Sequence, residues 1–139
     1  MISIANQRAT EWLEEANLRP TRQRLCLAEV LVGDGQDKHV TAETLFAKVK
    51  QTGYTVSLAT VYNTIHAFKK KGYLKEISIS SDKSYYDTNV TNHHHFFDEN
   101  KKELIDLDDK DVGKINIKKV LPGKKINSIE VLVKIANNN

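Results

Sequence analysis

Residues 57–88 constrain this chain more than any other stretch. The segment SLATVYNTIHAFKKKG sets Leu58, Val61, Ile65 and Phe68 at i, i+3, i+7 and i+10, with Tyr62 at the edge. That spacing predicts a helix with one apolar stripe. Ser57 suits its N-cap, Lys69, Lys70 and Lys71 suit the negative helix end, and Gly72 suits the C′ position. The period then changes. Residues 73–79 and 84–88 alternate around the polar turn Ser80-Ser81-Asp82-Lys83, which is a β-hairpin signature. A helix that must bury one face, followed directly by a hairpin, needs further helices to pack against.

The preceding residues supply them. Ile4, Ala5, Ala9, Trp12, Leu13 and Ala16 recur at helical spacing, and Leu18-Arg19-Pro20-Thr21 breaks that helix. A second helix buries Leu25, Ala28, Leu31 and Val32 and stops at Gly33-Asp34-Gly35. Thr41 caps a third, which buries Ala42, Leu45, Phe46 and Val49 and ends near Gly53. Three helices, a fourth and a hairpin make a winged helix-turn-helix domain over residues 1–88. Residues 89–139 change character. His93 to Phe97 and Glu103 to Leu107 read as strands, 109–119 as a weak helix, and Asn127 to Ile135 as an alternating strand. Short strands over about fifty residues bury little core alone, so this part is expected to dimerise across a two-fold axis. The expected fold class is α+β: an N-terminal winged helix-turn-helix followed by a small α/β dimerisation domain.

Composition narrows the function classes. The chain has 139 residues, 40% hydrophobic and 28% charged, which leaves room for one domain or two small ones and argues against wholesale disorder. No apolar run reaches the ~18 residues of a membrane span. The start carries Glu11, Glu14 and Glu15 with no apolar core of a signal peptide. The single cysteine, Cys26, allows neither an intrachain disulfide nor a four-cysteine structural zinc. A cytoplasmic location is expected. Cys26 lies between Leu25 and Leu27 and reads as a small core residue. Net charge is only +3, but its distribution is uneven. Residues 57–76 are basic and 96–111 acidic, with the histidines between them. This order predicts an anion-binding part followed by a cation-binding part.

The face of the fourth helix opposite its stripe carries Thr60, Asn63, Ala67 and Lys70. Small and hydrogen-bonding residues let a helix approach base edges in a major groove. Tyr62 and Asn63 can reach a phosphate and a base edge, with Ser57 and Thr60 at the helix start. Lys69, Lys70, Lys71, Lys75 and Lys83 can touch flanking phosphates, as can Arg19, Arg22 and Arg24. His66 is expected at the surface or near DNA, without a metal role. Imidazoles ligate zinc, ferrous iron and heme iron, so His93-His94-His95 is the sharpest local chemistry. On a strand, His93 and His95 point one way and His94 the other. No nucleophile–base set and no phosphate-cradling glycine loop is present, so an enzyme is not expected.

The motifs LRPTRQR (18–24), HVTAETLF (39–46) and SLATVYNTI (57–65), in this order, resemble the ferric uptake regulator family over roughly residues 8–110. YYDTNVTNHHHFF and the C-terminal IEVLVKI most resemble its iron response regulator branch. The resemblance implies a dimeric winged-helix repressor of iron homeostasis acting on a near-palindromic operator in double-stranded DNA. It also implies a metal site of His39, Asp87, His94 and Asp106 that joins the two parts. The branch implies heme bound at His93, His94 and His95, with Phe96 and Phe97 near the porphyrin or in the strand core. The signal is then heme, a divalent ion (Fe2+, Mn2+ or Zn2+), or both. The alternative is a repressor that senses the ion directly, without heme. A small metalloenzyme and a nonspecific architectural DNA protein are the other classes weighed. The chain departs from the family pattern in lacking a Cys-x-x-Cys pair after the histidines, and no histidine follows His95.

Overall fold

The computed structural model describes residues 2–139. Its elements are α1 (Ile4–Glu15), α2 (Arg22–Val32), β1 (His39–Val40), α3 (Ala42–Gln51), α4 (Leu58–Lys70), β2 (Lys75–Ser80), β3 (Lys83–Asp87), β4 (His94–Asp98), β5 (Glu103–Leu107) and β6 (Leu132–Ile135). They group into two compact units, Met1–Val90 and Thr91–Asn139.

In the first unit every helix begins at a hydroxyl cap. Ser3, Thr21, Thr41 and Ser57 accept hydrogen bonds from the backbone N–H groups of Asn6, Arg24, Thr44 and Thr60. Thr41 forms a reciprocal capping box with Thr44, whose hydroxyl accepts the Thr41 N–H at 2.9 Å. Replacing Thr41 with alanine is expected to lose about 1 kcal/mol. Urea unfolding should show this as a lower midpoint at unchanged slope. At the far end of α4 the chain turns out through Gly72 at φ +80°. The Tyr73 N–H donates to the Phe68 carbonyl and the Gly72 N–H to that of Lys69, which closes the last turn in a left-handed cap.

The core is shared by all four helices. Leu13, Leu27, Leu31, Leu45, Val49, Val61, Ile65 and Phe68 are fully buried. Trp12 meets Phe68 edge-on at 4.8 Å and Tyr73 at 5.6 Å. The expected stripe of α4 holds from Val61 onward, and Thr64 joins it by donating its hydroxyl to the Thr60 carbonyl. Leu58 is 36% exposed instead, because the first turn of α4 begins outside the packed layer. The sheet has the order β1-β3-β2, both pairs antiparallel. Helices followed by this hairpin form the winged helix-turn-helix arrangement.

The second unit is a three-stranded sheet in the order β5-β4-β6, antiparallel to β5 and parallel to β6. Two expectations are corrected here. Residues 109–119 hold only a 3-10 turn at Asp109–Asp111. Gly113 and the alternation of Ile115 and Ile117 with polar neighbours give no helical stripe to bury. The last strand runs over Leu132–Ile135, not Asn127–Ile135. Among the described residues its N-terminal side pairs with no strand beyond Val131, whose carbonyl accepts the His95 N–H while its N–H donates to the His94 ring at 2.9 Å, where β4 begins. The β4–β5 turn is tied by Asp98, which accepts from the Asn100 and Lys101 N–H groups, and Asn100 accepts from Asn137.

Candidate DNA-reading face and metal-donor sets

The exposed side of α4 presents Ala59, Tyr62, Asn63, His66, Lys69 and Lys70. These positions recur every three or four residues and form one strip along the helix. Ser57 and Thr60 stand at its start, where the Ser57 hydroxyl donates to that of Thr60 at 2.9 Å. Arg19 is exposed in the α1–α2 connection, and the Arg22 guanidinium lies over the Tyr54 ring at 5.5 Å. Two carboxylates that sequence reasoning passed over hold the strip from either side. The Tyr62 hydroxyl donates to Glu43 Oε1 at 2.6 Å, from the first turn of α3. Lys69 Nζ donates to Glu76 Oε1 at 2.5 Å, and the Ser84 hydroxyl to Glu76 Oε2 at 2.6 Å. The Tyr62 bond lowers the Glu43 pKa, and the Glu43 carboxylate in turn raises that of Tyr62. No local signal marked these partners, which lie 19 and 7 residues apart.

The bonds from Lys69, and then from Ser84, hold the Glu76 carboxyl below the usual glutamate range. A depressed folded pKa gives stability that is present above the unfolded value and lost as pH falls through the folded one. The melting temperature of the wild-type protein is therefore expected to drop more between pH 5 and pH 3 than that of Glu76→Gln. Thermal melts across that range check it. The pair is partly exposed, so the effect is small.

Imidazoles and carboxylates meet on both sheets. In the first unit, β1 pairs with β3 in the register His39↔Asp87. Cross-strand neighbours face the same side. His39 Nε2 accordingly lies 3.0 Å from Asp87 Oδ2. Asp87 is fully buried and also accepts the Asn89 N–H at 2.8 Å. A buried carboxylate requires such partners. In the second unit, the register His95↔Asp106 places Asp106 opposite His95. Asp106 Oδ1 lies 3.2 Å from His93 Nε2 and 3.4 Å from His95 Nε2, and the two rings are 4.3 Å apart.

His94, with the opposite strand parity, is not brought to Asp106. Its Nε2 faces Asp109 Oδ1 at 2.9 Å, and its Nδ1 accepts from Val131. The structure thus brings together His39 with Asp87, and Asp106 with His93 and His95. The three rings do not converge on one point: His93 and His95 face Asp106, and His94 faces Asp109 and Val131.

The donors suit a borderline transition-metal ion, which favours imidazole and carboxylate together. Tetrahedral bonds of about 2.1 Å would set ligand atoms about 3.4 Å apart. One donor atom each of His93, His95 and Asp106 lies within 4.8 Å of the others, with both imidazoles near that tetrahedral spacing from one carboxylate oxygen. Such an ion would supply a fixed positive charge holding those side chains together. The lone buried Cys26 leaves no thiolate set for structural zinc.

A helix-and-hairpin unit followed by a small sheet unit, with imidazole–carboxylate pairs on the sheets, is the arrangement of a class of transcriptional regulators. The chain belongs to the ferric uptake regulator family, whose model matches residues 15–134. It is 31% identical over 99 residues to the peroxide operon regulator of Bacillus subtilis, covering 71% of this chain and 67% of that protein. It is 30% identical over 95 residues to the peroxide-responsive repressor PerR of Staphylococcus aureus, covering 68% of this chain and 63% of the relative. The match therefore spans about two thirds of these relatives. In fold it is similar to the ferric uptake regulator of Vibrio cholerae, with a TM-score of 0.70 at 22% identity, covering 92% of this chain and 98% of that one. It is also similar to the manganese-containing ferric uptake regulator of Pseudomonas aeruginosa, with a TM-score of 0.68 at 17% identity over 94% and 98%. No helix among the described residues is long and apolar enough to cross a membrane.

Proposed function

We propose that this chain is a dimeric, sequence-specific DNA-binding repressor of iron homeostasis, responsive to a divalent cation, Fe2+, Mn2+ or Zn2+. The candidate donors form two sets, His39 with Asp87 in the first unit and His93, His95 and Asp106 in the second. The observation that carries this reading is the presence of imidazole–carboxylate pairs on the sheets of both units, in a chain of this family. The reading strip of α4 enters a major groove, with Asn63 toward a base edge and Lys70, Arg19 and Arg22 toward phosphates. A second copy covers the half-exposed face of Phe96, Ile105, Val133 and Ile135, which share one side of the second sheet by register. Two copies related by a two-fold axis read a near-palindrome.

The cation is favoured over heme because His93 and His95 turn to Asp106 and His94 to Asp109. Heme at His93–His95 would require an imidazole to leave its carboxylate. The experiment is selection of duplexes from a random pool by the wild-type protein, with Mn2+ and with hemin in separate arms. Enrichment of a near-palindrome that depends on Mn2+ is expected. Enrichment that responds only to hemin, with a Soret shift lost in the triple His93, His94 and His95 to alanine variant, would transfer the signal to heme.

A further inference from the structure

Glu43 is out of place on a surface meant for an anion. It lies exposed in the first turn of α3, and its carboxylate holds the Tyr62 hydroxyl of the reading strip at 2.6 Å. The fold does not need it there. Tyr62 is 45% exposed, and α3 has its own cap in the Thr41–Thr44 box. An exposed pair of this kind contributes little to stability.

Its consequence falls on DNA. A phenol hydroxyl on a groove-facing helix is a general donor to phosphate oxygens, which carry no sequence information. Donated to Glu43, that hydrogen is withheld from phosphates. The carboxylate also repels the backbone wherever the helix docks without a matching partner. The base-edge group that satisfies a carboxylate is an exocyclic amine, N4 of cytosine or N6 of adenine, in the major groove.

Resting on the DNA-reading function above, we propose that Glu43 is a specificity-determining residue of the reading face. It fixes the Tyr62 phenol and accepts a hydrogen bond from an exocyclic base amine, so that mismatched duplexes are rejected. The assignment concerns one base pair in each half-site, and its partner in the protein is Tyr62.

The test uses the full-length protein and the duplex that the wild-type chain selects from a random pool. Affinities are measured for that duplex, for a shuffled duplex of equal composition, and for every single base-pair substitution of it. Glu43→Gln is expected to bind the shuffled duplex about tenfold more tightly and to lose about tenfold discrimination at one base pair per half-site. Discrimination elsewhere should stay unchanged, and so should the melting temperature. Tyr62→Phe should lose discrimination at the same base pair. Whether a cytosine or an adenine stands there identifies the amine. A Glu43→Gln variant that shifts all duplexes by one common factor overturns the proposal, since only net charge would then matter. A wild-type protein that enriches no sequence would instead refute the DNA-reading function on which the proposal rests.

Discussion

Phe68→Ala is expected to lower the stability of the first unit by about 3–5 kcal/mol. Phe68 is fully buried in α4, and its ring takes the edge of Trp12 from α1 at 4.8 Å. Truncation removes the transfer free energy of a whole ring and leaves a cavity that neighbouring helices close only in part. The aromatic pair adds about 0.5–1.5 kcal/mol beyond burial. The same residue seats the reading helix, so loss of packing and loss of DNA affinity should arrive together. Thermal unfolding should fall by about 15 °C or more for a unit of this size. Phe68→Leu, which keeps most of the volume, should retain much of the stability and most of the DNA affinity. An alanine variant that melts within a degree or two of wild type would mean that α4 is not anchored here.

The helices were legible because their signals are local. Each begins at a serine or threonine, and the stripe of Val61, Ile65 and Phe68 is written within one segment. The hairpin was legible for the same reason. What escaped depends on register and on distance along the chain. The two-residue strand β1 has no periodicity of its own and exists because it pairs with β3, 48 residues on. That pairing brings together His39 and Asp87, which the family resemblance, not any local pattern, places in one site.

The strand parity of the histidines was readable, but which parity faces Asp106 was not. The register His95↔Asp106 decides it, and His94 turns to Asp109 and Val131. Glu43 and Glu76 gave no sequence signal, since exposed glutamates are common and their partners come from other elements. Residues 109–119 misled because charged residues mimic a helix surface, while Gly113 and the alternating isoleucines give it no buried stripe.

The second large effect concerns the donor sets. His95→Ala removes an imidazole that is itself buried and shares Asp106 Oδ1 with His93. His39→Ala removes the imidazole partner of the buried Asp87. Linkage requires that an ion which strengthens DNA binding is itself bound more tightly in the presence of DNA, by the same factor. Couplings of this kind are worth about 5–150-fold in affinity. Either variant should lose that factor while keeping the metal-free affinity, because the reading strip of α4 is untouched. His66→Ala, on the strip but outside both donor sets, should keep the metal response.

The most direct measurement is a fluorescence titration of the selected duplex with wild type, His39→Ala and His95→Ala, each with Mn2+ and with EDTA. Wild type is expected to bind tightly with Mn2+ and more weakly with EDTA, and both variants are expected to show the weaker value under either condition. Binding by wild type that is indifferent to Mn2+, Fe2+ and Zn2+ alike, or a full metal response in His39→Ala and His95→Ala, would contradict a metal-dependent regulator.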